Sequence, residues 1–291
     1  MNGTLAVARY TLAELSRRRI LLVFFIIGAI GIVGLGVGLK ILYTVASSSG
    51  NIAPNNVDPA VFNRFLELSF VSYVFSALAT FGLLIAFAIG MTAIYHDLDS
   101  GAAVSIFSKP VSRFAFATGK VAAAVAALVV IVGALALEAR FVMFLFGGGL
   151  ENALTGEALA VVGNSVVVML IVLSLSTWMN NIVAAVVAFV YYDVITGVIS
   201  FVHNLADNGV ITSNVVKTIF DIIYWLVPHE LVSSAMGEVT KASIAISGPQ
   251  ANNQALAGIQ PASGAGDIVW WAFVVCFFAG LVYYAVRRRQ V

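Results

Sequence analysis

Ile20-Leu21-Leu22-Val23-Phe24-Phe25-Ile26-Ile27-Gly28-Ala29-Ile30-Gly31-Ile32-Val33-Gly34-Leu35-Gly36-Val37-Gly38-Leu39 is a run of twenty residues without a charge or a hydrogen-bonding side chain. An α-helix rises about 1.5 Å per residue, so about 20 apolar residues cross the roughly 30 Å hydrocarbon core of a bilayer. The run therefore reads as a transmembrane helix. It is too long for the apolar region of a cleavable signal, and no small-residue cleavage site ends it, so it reads as a retained first span.

Working outward, the same pattern recurs. Six spans are expected, at about residues 20–40, 68–94, 121–146, 158–179, 182–203 and 268–286. The third is interrupted by Glu138 and Arg140. Composition agrees: 61% of the 291 residues are hydrophobic and 10% charged, against roughly 45–50% and 25% in soluble domains. The fold class read from this is an all-α integral membrane protein. A net charge of +1 gives no reason to expect a nucleic-acid partner.

Basic residues orient the spans. Arg17, Arg18 and Arg19 precede span one, Lys109, Arg113 and Lys120 lie between spans two and three, and Arg287, Arg288 and Arg289 follow span six. Alternating spans put all nine on one side, and an excess of Lys and Arg marks the cytoplasm. Both termini are thus expected to be cytoplasmic, in a plasma or inner membrane. On the other side, residues 204–267 form an external loop. It contains Val215–Val227, an apolar stretch too short to cross, which suits a re-entrant or interfacial helix ended by Pro228.

Two stretches outside the spans draw attention. In residues 1–19, Leu5, Ala8, Leu12 and Leu15 recur at helical spacing beside Arg9 and the arginine cluster, the pattern of an amphipathic helix in the membrane interface. Residues 95–118 form a cytoplasmic loop. Asp97 and Asp99 precede Ser100-Gly101, a short apolar run follows, and Ser108-Lys109-Pro110-Val111-Ser112-Arg113 then bends the chain. A carboxylate or a serine ahead of a short helix supports its N-terminus, and Pro110 cannot continue one. A short helix pinned beneath the membrane is expected, of the kind that docks a cytoplasmic partner.

These features resemble the permease subunits of type-2 ABC transporters. That family carries an amphipathic elbow helix before span one. Between spans two and three it has an acidic-x-Ser-Gly stretch, a short helix, a Ser-Lys-Pro-[Val/Ile]-Ser-Arg run and a Gly-Lys opening span three. The counterparts here are Asp99-Ser100-Gly101, Ser108–Arg113 and Gly119-Lys120, with Ala102 where the family often has threonine. The layout is similar over the whole chain, including the external re-entrant helix between spans five and six. At motif level the likeness is confined to about Asp97–Lys120. The resemblance implies a half-transporter that pairs with a second copy, as a homodimer, and binds two cytoplasmic ATPase subunits. It assigns ATPase coupling to Asp97, Asp99, Ser100, Gly101, Ser108, Lys109, Pro110 and Arg113. Export is the implied direction.

No Gly-x-x-x-x-Gly-Lys-[Ser/Thr] phosphate loop occurs. The chain is therefore expected to be no enzyme and to hold no cofactor, with ATP and Mg bound in the partner ATPase. His96, His203 and His229 lack metal-site spacing, and Cys276 is the one cysteine. Ionisable groups within spans are costly and mark pathways or contacts. Asp193 reads as a pathway or inter-helix carboxylate, Glu138 and Arg140 as interfacial, and Asn164 as polar glue between helices. Asp193 or Glu138 as a proton carrier defines the alternative of an ion-gradient-driven secondary transporter; a non-transporting scaffold or assembly factor is the other.

Overall fold

The computed structural model describes residues 3–49, 59–95, 97, 111–146, 153–207, 210–211, 213–235, 237 and 262–288. All regular structure among them is helical. α1 (Gly3–Ser16) precedes α2 (Arg19–Ser49), α3 (Pro59–Thr92), α4 (Arg113–Phe146) and α5 (Ala153–Ser176). α6 (Asn181–Phe189), a π-helical segment (Val190–Thr196) and α7 (Gly197–Asp207) run on as one span. α8 (Asn214–Leu226) and α9 (Ala265–Arg288) complete the order. Six helical stretches are long and apolar enough to cross a membrane: α2, α3, α4, α5, α6–α7 and α9.

The helices overrun their expected ends. α3 begins at Pro59, a residue whose fixed φ and missing N–H suit the first helical position. α4 begins at Arg113 rather than near residue 121, so the last residues of the expected 95–118 loop are helical. Glu138 and Arg140 do not break α4. In hydrocarbon every backbone N–H and C=O must be bonded within the helix, so two charged side chains near one end cannot halt it. Glu138 is half-buried and Arg140 exposed.

α5 is the most enclosed helix. Its stretch Val166–Leu173 is buried throughout, and α3 supplies the facing core residues Val71, Phe75, Leu78, Ile85 and Ile89. Glycine sets the closeness of that pair. A Cβ on Gly90 would lie 2.8 Å from Val172 Cβ and 2.9 Å from the Met169 carbonyl oxygen. Only a residue without a side chain permits this approach, the small-residue logic of membrane helix packing. α2 packs through Gly28 and Gly31 onto the Phe81 ring.

The outer faces are apolar. Ile26, Ile30 and Val37 of α2, Val186, Val190 and Val198 of the fifth span, and Val269 and Phe273 of α9 are exposed. In water that surface would drive aggregation; in lipid it is the solvated state.

At the end of the bundle away from α1, aromatic rings tie three elements together. Tyr224 of α8 stacks between His203 of α7 and His229, with ring centroids at 4.1 and 4.0 Å. His229 Nε2 lies 3.1 Å from Asp267 Oδ1, at the start of α9. Burial holds the His229 imidazole below the ordinary histidine range, against the opposing pull of its Tyr224 carbonyl contact and Asp267. α8 is amphipathic and lies against α7; its 13 residues are fewer than a span needs.

Candidate functional site

Among the described residues Lys120, about two turns into α4, is a fully buried cation. An ammonium with no counter-charge there would be unstable by several kcal/mol. Two carboxylates meet it. Asp97 Oδ2, itself 2% exposed, lies 2.5 Å from Lys120 Nζ, and Glu14 Oε2 of α1 lies 3.3 Å away. Glu14 is bonded in turn by Arg18, one helical turn further along the chain. Two acids and two bases thus balance. Burial pushes the Glu14 carboxyl up, but Arg18 and Lys120 together outweigh it and hold it below the ordinary range. Lys120 Nζ also sits 5.4 Å from the centre of the Tyr10 ring and 5.9 Å from that of Phe116, within cation–π reach.

Each element is placed by its own chemistry. Asp97 follows α3 in a turn closed by its N–H donating to the Ile94 carbonyl. α1 is held on α4 by Val7, packed with Phe116, Ala117 and Val286 in a small apolar cluster. Thr11, buried on the same face, donates its hydroxyl to the Val7 carbonyl. Gly119 lets the two helices touch: a Cβ there would stand 2.8 Å from the Thr4 carbonyl oxygen and 2.9 Å from Val7 Cβ. Arg113, the first residue of α4, donates to the Arg287 carbonyl of α9 at 2.8 Å. The site therefore joins α1, the end of α3, the start of α4 and the end of α9.

Gly119→Val is expected to lift α1 from α4, because the obstructing atom is backbone and cannot rotate away. Overpacking of this kind costs about 1–3 kcal/mol. The check is a disulfide between cysteines placed at Val7 and Phe116, which should form readily in the parent and poorly in the Gly119→Val chain; equal yields would remove the argument.

Of the residues singled out in the sequence, Asp97 and Arg113 are in this site. Asp99, Ser100, Gly101, Ser108, Lys109 and Pro110 lie outside the described residues. Glu138, Arg140, Asp193 and Asn164 are elsewhere. Arg140 lines an open groove with Leu137, Leu154 and Ala158. Asp193 lies in the π-helical segment and is exposed beside Thr80, Leu84, Phe87 and Phe189. It makes no hydrogen bond or ion pair among the described residues. Asn164 bonds not another helix but a non-helical segment: its Oδ1 accepts from Leu231 N–H at 2.8 Å and its Nδ2 donates to the Leu231 carbonyl at 3.0 Å.

Lys120 entered the sequence reading as a basic residue that orients the spans and in the Gly119-Lys120 signature, and Glu14 was not singled out. The signal was available. A lysine that opens an apolar helix needs a carboxylate nearby, and Glu14, Asp97 and Asp99 are acids on the same expected side.

No protein-family model matches the chain, and no curated protein matches it.

Proposed function

We propose that this chain is the membrane subunit of an ATP-driven transporter, an exporter whose nucleotide is hydrolysed by a separate subunit. In this reading the end carrying α1 faces the cytoplasm of a cell lying inside its plasma or inner membrane. The observation that carries it is the buried Lys120–Asp97–Glu14 cluster. Asp97 leads directly into residues 98–110, the stretch assigned to ATPase docking by its likeness to type-2 ABC permeases. A force applied to that stretch reaches Lys120 through an ion pair in a dry interior, where separating the charges is costly. α1, α3 and α4 then respond together. The partner supplies ATP and Mg; this chain supplies the path and the lever.

A second copy of the chain is part of the proposal. Asp193 is exposed on a face otherwise made of Val186, Phe189, Val190 and Val194. A carboxylate facing lipid at that depth costs about 2.5–3.5 kcal/mol on insertion scales, so contact with another protein surface suits it better. The α8 helix, with the chain that follows it, takes the place of the re-entrant element in this reading.

The test is co-purification of the intact membrane complex, followed by ATPase measurement in lipid. A soluble ATPase should come with the chain, and its turnover should depend on it. Replacing Lys109 and Pro110 together by alanine should reduce coupled turnover by about tenfold or more while leaving the chain folded, as loss of a positioned contact does. Unchanged turnover would overturn the proposal, and transport that persists without ATP and vanishes in Asp193→Asn would instead establish the gradient-driven alternative.

A further inference from the structure

Between α3, α5 and the non-helical segment that Asn164 holds lies a cavity of about 180 Å³. Its wall carries two carboxylates on different elements, Glu157 of α5 and Glu230 of the segment, together with Ser165. Neither carboxylate forms an ion pair among the described residues. Glu157 accepts one bond, from Ser233 Oγ at 2.5 Å. Glu230 accepts none among the described residues. Burial, then the Asp193 carboxylate and then that of Glu157, push Glu230 above the ordinary carboxylate range. All the charges acting on it are negative.

Ser165 is a second and independent indication. Its side chain is buried from solvent, lines the cavity, and its hydroxyl has no partner among the described residues. Native interiors rarely leave such a group unmatched, since an unsatisfied buried polar atom costs about 1–3 kcal/mol.

The remaining wall selects the kind of cation. Phe75, Leu83, Val161 and Leu231 are apolar. Asn164 Oδ1 is already engaged by the Leu231 N–H. A bare divalent ion such as calcium takes about 6–8 oxygen ligands, and these groups do not provide them. An alkylammonium asks for less: one or two counter-charges, one hydroxyl, and apolar surface or an aromatic face for its carbon. Water occupies about 30 Å³ per molecule, so the cavity holds several heavy atoms.

We propose that this cavity binds the ammonium head of a small lipophilic amine, with Glu157 and Glu230 as counter-charges and the Ser165 hydroxyl as an acceptor. It extends the transporter reading by naming a substrate class. Amine binding gives the Glu230 carboxylate the cation that no neighbour supplies. Affinity should therefore rise with pH as Glu230 loses its proton and before the amine loses its own.

The experiment is equilibrium dialysis of radiolabelled hexylammonium against the full-length chain in phosphatidylcholine nanodiscs, with hexan-1-ol as neutral competitor. Saturable binding is expected, insensitive to hexanol and tightening with pH. Glu230→Gln and Glu157→Gln should each weaken it at least about tenfold, and Ser165→Ala by a smaller factor of about three, in line with charged and neutral hydrogen bonds. Should Glu157→Gln fail to fold for want of its Ser233 bond, Glu230→Gln decides. No saturable component, equal binding in Glu230→Gln, full displacement by hexanol, or tighter occupancy by sodium or calcium would each overturn the proposal. The measurement uses no ATPase, so its failure leaves the permease reading standing, and loss of ATPase coupling leaves this site standing.

Discussion

Lys120→Ala is expected to lose most or all of the folded chain. Lys120 is fully buried and stands between Asp97 and Glu14. Removing it leaves Asp97 buried and facing a second carboxylate, with no cation of its own. Breaking a buried pair from one side costs about 3–5 kcal/mol, a large part of the 5–15 kcal/mol typical of a whole domain. The loss is asymmetric across the cluster. In Glu14→Gln the ammonium of Lys120 keeps Asp97, so that change should cost less than Lys120→Ala. The decisive variant is the double change Lys120→Met with Asp97→Asn. It removes both buried charges and keeps similar volume, so it should recover a good part of the loss. Folded yield and thermal midpoint in detergent measure all four chains. If Lys120→Ala unfolds at the parental temperature, the cluster does not hold this end of the bundle together.

That cluster also shows what could and could not be read from the chain. The six spans were legible because a bilayer demands length and apolarity from each segment independently; Ile20–Leu39 reads as a span with no knowledge of its neighbours. Helix ends were less so. α4 runs through Glu138 and Arg140 because the hydrocarbon interior penalises broken backbone bonds more heavily than two charges that can reach an interface. Pairing was the least legible. Lys120 and Glu14 are separated by 106 positions in sequence, and only the crossing of α1 over α4 at Gly119 brings them together. The π-helical turn at Val190–Thr196 has no composition signal at all: Thr196 Oγ1 reaches the Tyr191 carbonyl five residues back, at 3.0 Å, and the backbone widens to suit. Glu157, Glu230 and Ser165 were invisible for the same reason as Lys120, since their meeting depends on a loop entering the bundle.

Asn164→Leu is expected to release that loop. The side-chain amide satisfies both backbone groups of Leu231, accepting at 2.8 Å and donating at 3.0 Å. A leucine of similar size fills the space but bonds neither. Each orphaned group costs about 1–3 kcal/mol where water cannot reach it, so the segment has about 2–6 kcal/mol less reason to stay. Its other ties include the Val232–Ser263 pair of bonds, Ser233 to Glu157, His229 to Asp267, and the Trp270 indole donating to the Val227 carbonyl. These hold its flanks rather than its tip. The bundle itself should survive, because the α3–α5 contact through Gly90 and Val172 does not involve Asn164. The expected result is thus local: helical content and thermal midpoint close to the parent, with the Leu231 amide exchanging hydrogen much faster. Asn164→Asp separates the two bonds, since a carboxylate still accepts from Leu231 N–H but cannot donate to its carbonyl while ionised. Its exchange rate should fall between the other two. Protection of Leu231 unchanged in Asn164→Leu would mean that packing alone seats the segment, and that the amide is incidental to it.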